Sequence, residues 1–133
     1  MNEIVATISQ IDNIDNLNIV QFEFNNQTLK MMSLDLNDNI VKNQKVILTV
    51  KPTHIAIGKN FSGELSYSNQ IKATIDDIEK GELLVNVISK VAGINLQSII
   101  TASSANRMNL KKEDEIILLI KASDISILDV IND

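Results

Sequence analysis

Ile4-Val5-Ala6-Thr7-Ile8 returns as Ile71-Lys72-Ala73-Thr74-Ile75, and each run is followed at the same distance by an isoleucine, Ile11 or Ile78. The offset of 67 persists to Leu29 against Leu96 and Met32 against Ile99. Further on, Val46-Ile47-Leu48-Thr49-Val50-Lys51 matches Ile116-Ile117-Leu118-Leu119-Ile120-Lys121, and Ile55-Ala56-Ile57 matches Ile125-Ser126-Ile127, now at an offset of 70. The chain is therefore a tandem repeat, and its second copy carries three extra residues between its third and fourth strands. Self-similarity on this scale decides architecture before any local reading does.

Each copy reads as short strands. In the second, Gln70 to Ile78 and Leu83 to Ser89 flank a turn at Glu79-Lys80-Gly81-Glu82, and a turn at Ala92-Gly93 leads into Asn95 to Thr101. Glycine suits these turns because it takes positive φ at little cost. Ser103 to Met108 suits one or two helical turns with a serine as N-cap. A polar turn, Leu110 to Glu115, then precedes strands at Ile116 to Ile120 and Ile125 to Leu128. The expected fold is all-β: two tandem five-stranded OB-like barrel lobes, each with one short helix. The expected boundaries are residues 1–60 for the first lobe, 61–65 for a linker and 66–133 for the second. Lobes this small are marginal alone and gain stability by packing together.

Composition agrees and excludes much else. The 133 residues include 22 Ile and 9 Val but one Pro and four Gly, and β-branched side chains favour pleated surfaces. There is no cysteine and only one histidine, so disulfides, thiolate chemistry and multi-histidine metal sites are out. No direct protein–metal ligand set is expected. Nothing resembles an export signal or an apolar run of membrane-spanning length, so the expected location is cytoplasmic, without membrane insertion. A net charge of −5 with 3% aromatic residues speaks against nucleic acid, which needs a basic track and stacking platforms. Phosphate-cradling glycine loops are absent. The acidic runs Asp76-Asp77 and Glu113-Asp114-Glu115 read as solvated surface, because strand neighbours face opposite ways and the second run is a turn. His54 reads as a surface or interface residue rather than a ligand.

Three stretches carry a family resemblance. Phe61-Ser62-Gly63-Glu64-Leu65-Ser66-Tyr67-Ser68-Asn69 resembles the linker and Ser-Ala-Arg-Asn entry motif of the tandem Mop or TOBE domains of molbindins. Ile78-Glu79-Lys80-Gly81 with Val85-Asn86-Val87 resembles their first hairpin. Asn109 to Ile116, followed by Ile120-Lys121-Ala122-Ser123-Asp124-Ile125, resembles their closing segment. The likeness covers residues 62 to 129 directly and residues 3 to 59 through the repeat.

The resemblance implies a non-enzymatic, cytoplasmic, homotrimeric protein. It would bind molybdate or tungstate at lobe and subunit interfaces, as a store, buffer or homeostasis sensor. No covalent cofactor is implied. A tetrahedral dianion offers only acceptors, so its site needs N–H groups, hydroxyls and a cation. Carried over residue by residue, the site comprises Ser66, Ser68 and Asn69 from the entry motif and Lys121, Ala122 and Ser123 from the closing one, with Lys51 and Thr53 as first-copy counterparts. Two departures stand out. Ser68 replaces the family arginine, removing a forked, permanently charged donor. In the first copy Pro52 stands where Ala122 stands in the second and has no N–H to give. Fewer sites per chain are therefore expected, and the competing reading is a degenerate tandem module that regulates a transporter or regulator without holding the anion.

Overall fold

The computed structural model describes residues 1–132. Among these residues, ten strands form two five-stranded sheets in which every pairing is antiparallel. The first copy contributes β1 (Asn2–Ile14), β2 (Leu17–Phe24), β3 (Gln27–Leu34), β4 (Lys45–Val50) and β5 (Ala56–Gly58). The second contributes β6 (Asn69–Lys80), β7 (Leu84–Val91), β8 (Ile94–Thr101), β9 (Glu115–Ile120) and β10 (Ser126–Ile131). The repeat thus becomes two copies of one strand plan. Within most strands buried and exposed residues alternate, as in Ile4, Ala6 and Ile8 of β1 or Val85, Val87, Ser89 and Val91 of β7, so each sheet turns one face to the core.

The repeat extends to irregular details. β1 and β6 each carry a bulge, between Ile8 and Gln10 and between Ile75 and Asp77. At each, a left-handed residue of the loop before the fourth strand donates its N–H to the strand: Asn43 to Ile8 O at 2.8 Å and Glu113 to Ile75 O at 2.9 Å. A bulge bends its strand and increases twist, so two bulges at one repeat position bend both sheets at the same place.

The fifth strands are exchanged. Sheet A has the order β10-β4-β1-β2-β3 and sheet B the order β5-β9-β6-β7-β8. After β4 the chain passes through the 3-10 turn Pro52–His54, which packs on β8, and β5 then pairs with β9. After β9 the turn Ala122–Asp124 packs on β3, and β10 pairs with β4. Boundaries at 1–60 and 66–133 therefore do not delimit the sheets, because each takes one strand from the other copy. Buried residues of both sheets form one continuous core, from Ile4, Phe22 and Leu48 to Ile75, Leu96 and Leu118.

One α-helix is present among the described residues, α1 (Ala102–Arg107), in the second copy. It occupies the stretch that holds the three extra residues. Its N-cap is Thr101, whose hydroxyl accepts from Ser104 N, two residues before the serine at which the sequence starts the helix. The first copy has no helix there. Asp35 is left-handed and the Asn37 carboxamide accepts from Asn39 N at 2.9 Å, an Asx turn that competes with helix formation. No helix is long and apolar enough to cross a membrane among the described residues.

Candidate functional site

Strand register brings the entry and closing motifs together. Asn69, the first residue of β6, lies opposite Ile120, the last of β9, so Ser66 and Ser68 emerge at the same end of the ladder as Lys121, Ala122 and Ser123. In the first copy Asn2 lies opposite Val50, which places Lys51 and Thr53 in the equivalent position. The two 3-10 turns then meet: His54 Nδ1 stands 3.5 Å from Asp124 Oδ1. His54 thus joins the two closing motifs, as an interface residue.

The chemistry at the second turn suits an anion. Lys121 and Ser123 are exposed and Ala122 is half-buried. The turn is closed by Asp124 N donating to Lys121 O at 3.0 Å, which leaves the Ala122 and Ser123 N–H groups without a partner in the turn. Two N–H groups, a hydroxyl and an ammonium are the donor types a tetrahedral oxyanion needs. The first turn offers less. Its His54 N–H donates to Lys51 O at 2.9 Å, Pro52 has no N–H, and Thr53 remains with one N–H and one hydroxyl. Ser66 and Ser68 are exposed and irregular, each with its hydroxyl turned to no described partner.

Asn69 has another role. It is fully buried, its Oδ1 accepts from Lys30 N at 2.7 Å, and its Nδ2 donates to Lys30 O at 3.0 Å and to Ile120 O at 3.1 Å. Both amide hydrogens are engaged, so the side chain has no donor left for an anion. It acts instead as a surrogate strand. The carboxamide pairs with a backbone N–H and C=O on the free edge of β3, joining sheet B to sheet A. Asn2 does the same in reverse, accepting from Gln97 N at 2.7 Å and donating to Gln97 O at 2.8 Å. Asn2 and Asn69, like Lys30 and Gln97, are related by the 67-residue offset. The reciprocal clamp was invisible in sequence, because its partners are main-chain atoms.

A second lock was also missed. Lys59, just after β5, donates to Met108 O and Asn109 O at 3.1 Å each and to Asp114 Oδ2 at 3.0 Å. Asp114 also accepts from Lys111 N at 3.0 Å. The hydrogen bond from Lys59, followed by that from the Lys111 N–H, holds the Asp114 carboxyl below the usual carboxylate range. Asp114 is thus a structural ion-pair partner of Lys59 rather than a solvated turn residue. The groove beside Ser123, about 450 Å³, carries Asp35 and Asp129 and no lysine or arginine. Two carboxylates make the groove itself unfavourable to an anion.

The TOBE domain family matches residues 65–127. Molybdenum-pterin-binding protein 1 of Clostridium pasteurianum is 32% identical over 65 residues, which span 48% of this chain and 96% of that protein. The structure superposes on the cytoplasmic molybdate-binding protein ModG, in its PEG-grown form with molybdate bound, with a TM-score of 0.88 at 21% identity. That match covers 95% of this chain and 94% of the other and is a likeness of fold. A molybdate-binding protein from Sporomusa ovata matches half of the chain, 50%, and all of its own length, at 27% identity and a TM-score of 0.49. With a relative matched along nearly its whole length and the tandem fold in place, the chain belongs to the Mop/TOBE family of molbindins.

Proposed function

We propose that this chain is a non-enzymatic binder of molybdate or tungstate that works in the cytoplasm as a store, buffer or homeostasis sensor. The observation that carries the reading is the second closing turn. It presents Lys121, the Ala122 and Ser123 N–H groups and the Ser123 hydroxyl beside Ser66 and Ser68, in a chain related to a molybdenum-pterin-binding protein. A protein of net charge −5 gains nothing from its overall field when it binds a dianion, so these local donors carry the affinity. Charge-assisted hydrogen bonds contribute about 1.5–3 kcal/mol each, and four reach micromolar affinity after the entropic cost. The site is completed at an interface between chains, most simply in a homotrimer. Lys51 and Thr53 form a weaker counterpart, because Pro52 removes one donor.

Calorimetry with molybdate, tungstate and sulfate tests this. We expect binding of the first two and a loss of about tenfold or more in Lys121→Ala, with a smaller loss in Lys51→Ala. Absence of binding at high micromolar concentration overturns it. Native mass spectrometry with elemental analysis reports subunit count and bound metal together. Ser68, Pro52 and the engaged Asn69 favour one alternative, a module that keeps the fold and acts by contact alone. Lys121→Ala protein that assembles normally, with no anion in either form, selects that alternative.

A further inference from the structure

The outer face of sheet B carries an open cleft of about 620 Å³ that the closing turns do not use. Its floor is a cross-strand array. Thr74 on β6 lies between Lys90 on β7 and Glu115 on β9, and Lys72 lies one step along β6 opposite Ile117. Its wall is Phe61, which follows β5. The ring rests against Gly58, where a Cβ would stand 2.6 Å from Phe61 Cε1, so glycine at that position is what admits the ring. Phe61 remains 36% exposed and lines the cleft. Asn25 and Gln27 of the first copy's hairpin also line it, so both copies build the cleft.

The repeat supplies an internal control. Where the second copy has Lys72 and Lys90, the first has Val5 and Glu23, and where the chain has Gly58 on β5 it has Leu128 on β10. The fold therefore requires neither the lysines nor the glycine. Lys72 has no ion-pair partner among the described residues, and Lys90 pairs with Asp76 at 3.5 Å with its side chain 63% exposed, an easily exchanged contact. A bare oxyanion would leave Phe61 and most of the volume without a purpose, whereas a cleft this size is in the range that holds small organic molecules. Glu115 and Asp76 balance Lys72 and Lys90, so the array is neutral overall and its lysines act as local donors, which suits one anionic group rather than a polyanion.

We propose that this cleft binds a flat aromatic or heteroaromatic molecule bearing one phosphate or carboxylate. The ring lies against Phe61, Lys72 and Lys90 hold the anionic group with the Thr74 hydroxyl, and Asn25 and Gln27 meet polar ring edges. Amide NMR titration with adenosine monophosphate and with 2-naphthoate tests the class, with adenosine and inorganic phosphate as half-ligands. At about 1 mM ligand we expect shifts at Thr74, Lys90 and Ala92. Binding should weaken about tenfold in Phe61→Leu, which keeps an apolar side chain over Gly58, and in Lys90→Glu, while Phe61→Trp retains it. Response to the nucleotide alone or to the naphthoate alone supports the proposal and identifies the source. Phosphate shifting the same amides as strongly, adenosine binding as tightly as its monophosphate, unchanged affinity in both variants, or no shift at all overturns it.

Discussion

Asn69 shows how one side chain can do the work of a strand. Its carboxamide meets a backbone donor and a backbone acceptor on Lys30, which defines the orientation of the amide, and the remaining hydrogen is held by Ile120 O. Asn69→Leu loses three hydrogen bonds, one of them fully buried on Ile120 O, and leaves half-buried main-chain groups of Lys30 unpaired, so we expect a destabilisation of about 2–4 kcal/mol in urea unfolding. A different residue-scale strain lies in two turns. Ala92 and Glu113 adopt φ of 51° and 73°, and their first-copy counterparts, Asn25 and Asn43, adopt 49° and 75°. Asparagine enters the left-handed region at lower cost than alanine or glutamate. Ala92→Asn and Glu113→Asn should each raise stability by about 0.5–1 kcal/mol, read as a higher denaturant midpoint at an unchanged m-value.

At the scale of elements, β5 is the weakest strand by length, three residues on the edge of sheet B, and Lys59 anchors the chain directly after it. Asp114 has its carboxyl pKa depressed by that lysine. A depressed carboxylate contributes stability that is fully present above its unfolded pKa of about 4 and is lost as pH falls through the lower folded value. Lys59→Met should therefore be less stable than the parent at neutral pH, with the gap narrowing below about pH 4. Parallel urea titrations at several pH values measure it, and a pH-independent gap would assign the effect of Lys59 to its bonds with Met108 O and Asn109 O alone. The short helix α1 belongs to the same region. Its existence in one copy only follows from three additional residues and from Thr101 as N-cap, against an Asx turn in the shorter loop.

For the whole molecule, exchange of β5 and β10 and the reciprocal asparagine clamps make each sheet depend on the other copy. A separated second copy, residues 66–132, lacks the β5 edge of its sheet, the Lys59 anchor and the β3 edge that Asn69 holds. We expect this fragment to be unfolded or to recover strands by associating with itself, whereas mixing it with residues 1–65 should restore β-sheet circular dichroism. A fragment that is monomeric and as stable as the full chain would contradict this interdependence.

Much was determined by the sequence itself. The 67- and 70-residue offsets, the alternation of buried and exposed side chains, and turn residues such as Gly93 specified ten strands in two copies and their order. These are local properties: period-two patterning shows that a strand has an inner face, and turn chemistry shows where it ends. Which sheet a strand joins is not local. Ala56-Ile57-Gly58 and Ser126-Ile127-Leu128 have similar patterns and could complete either sheet, and only the paths of the two 3-10 turns, packed on β8 and β3, send each across. The same holds for Asn69, which reads as a donor beside Lys121 until a main-chain N–H and C=O from another sheet occupy its carboxamide. Backbone partners carry no residue type, so tertiary structure alone decided the exchange, the clamps and which of the motif's polar groups are engaged within the fold.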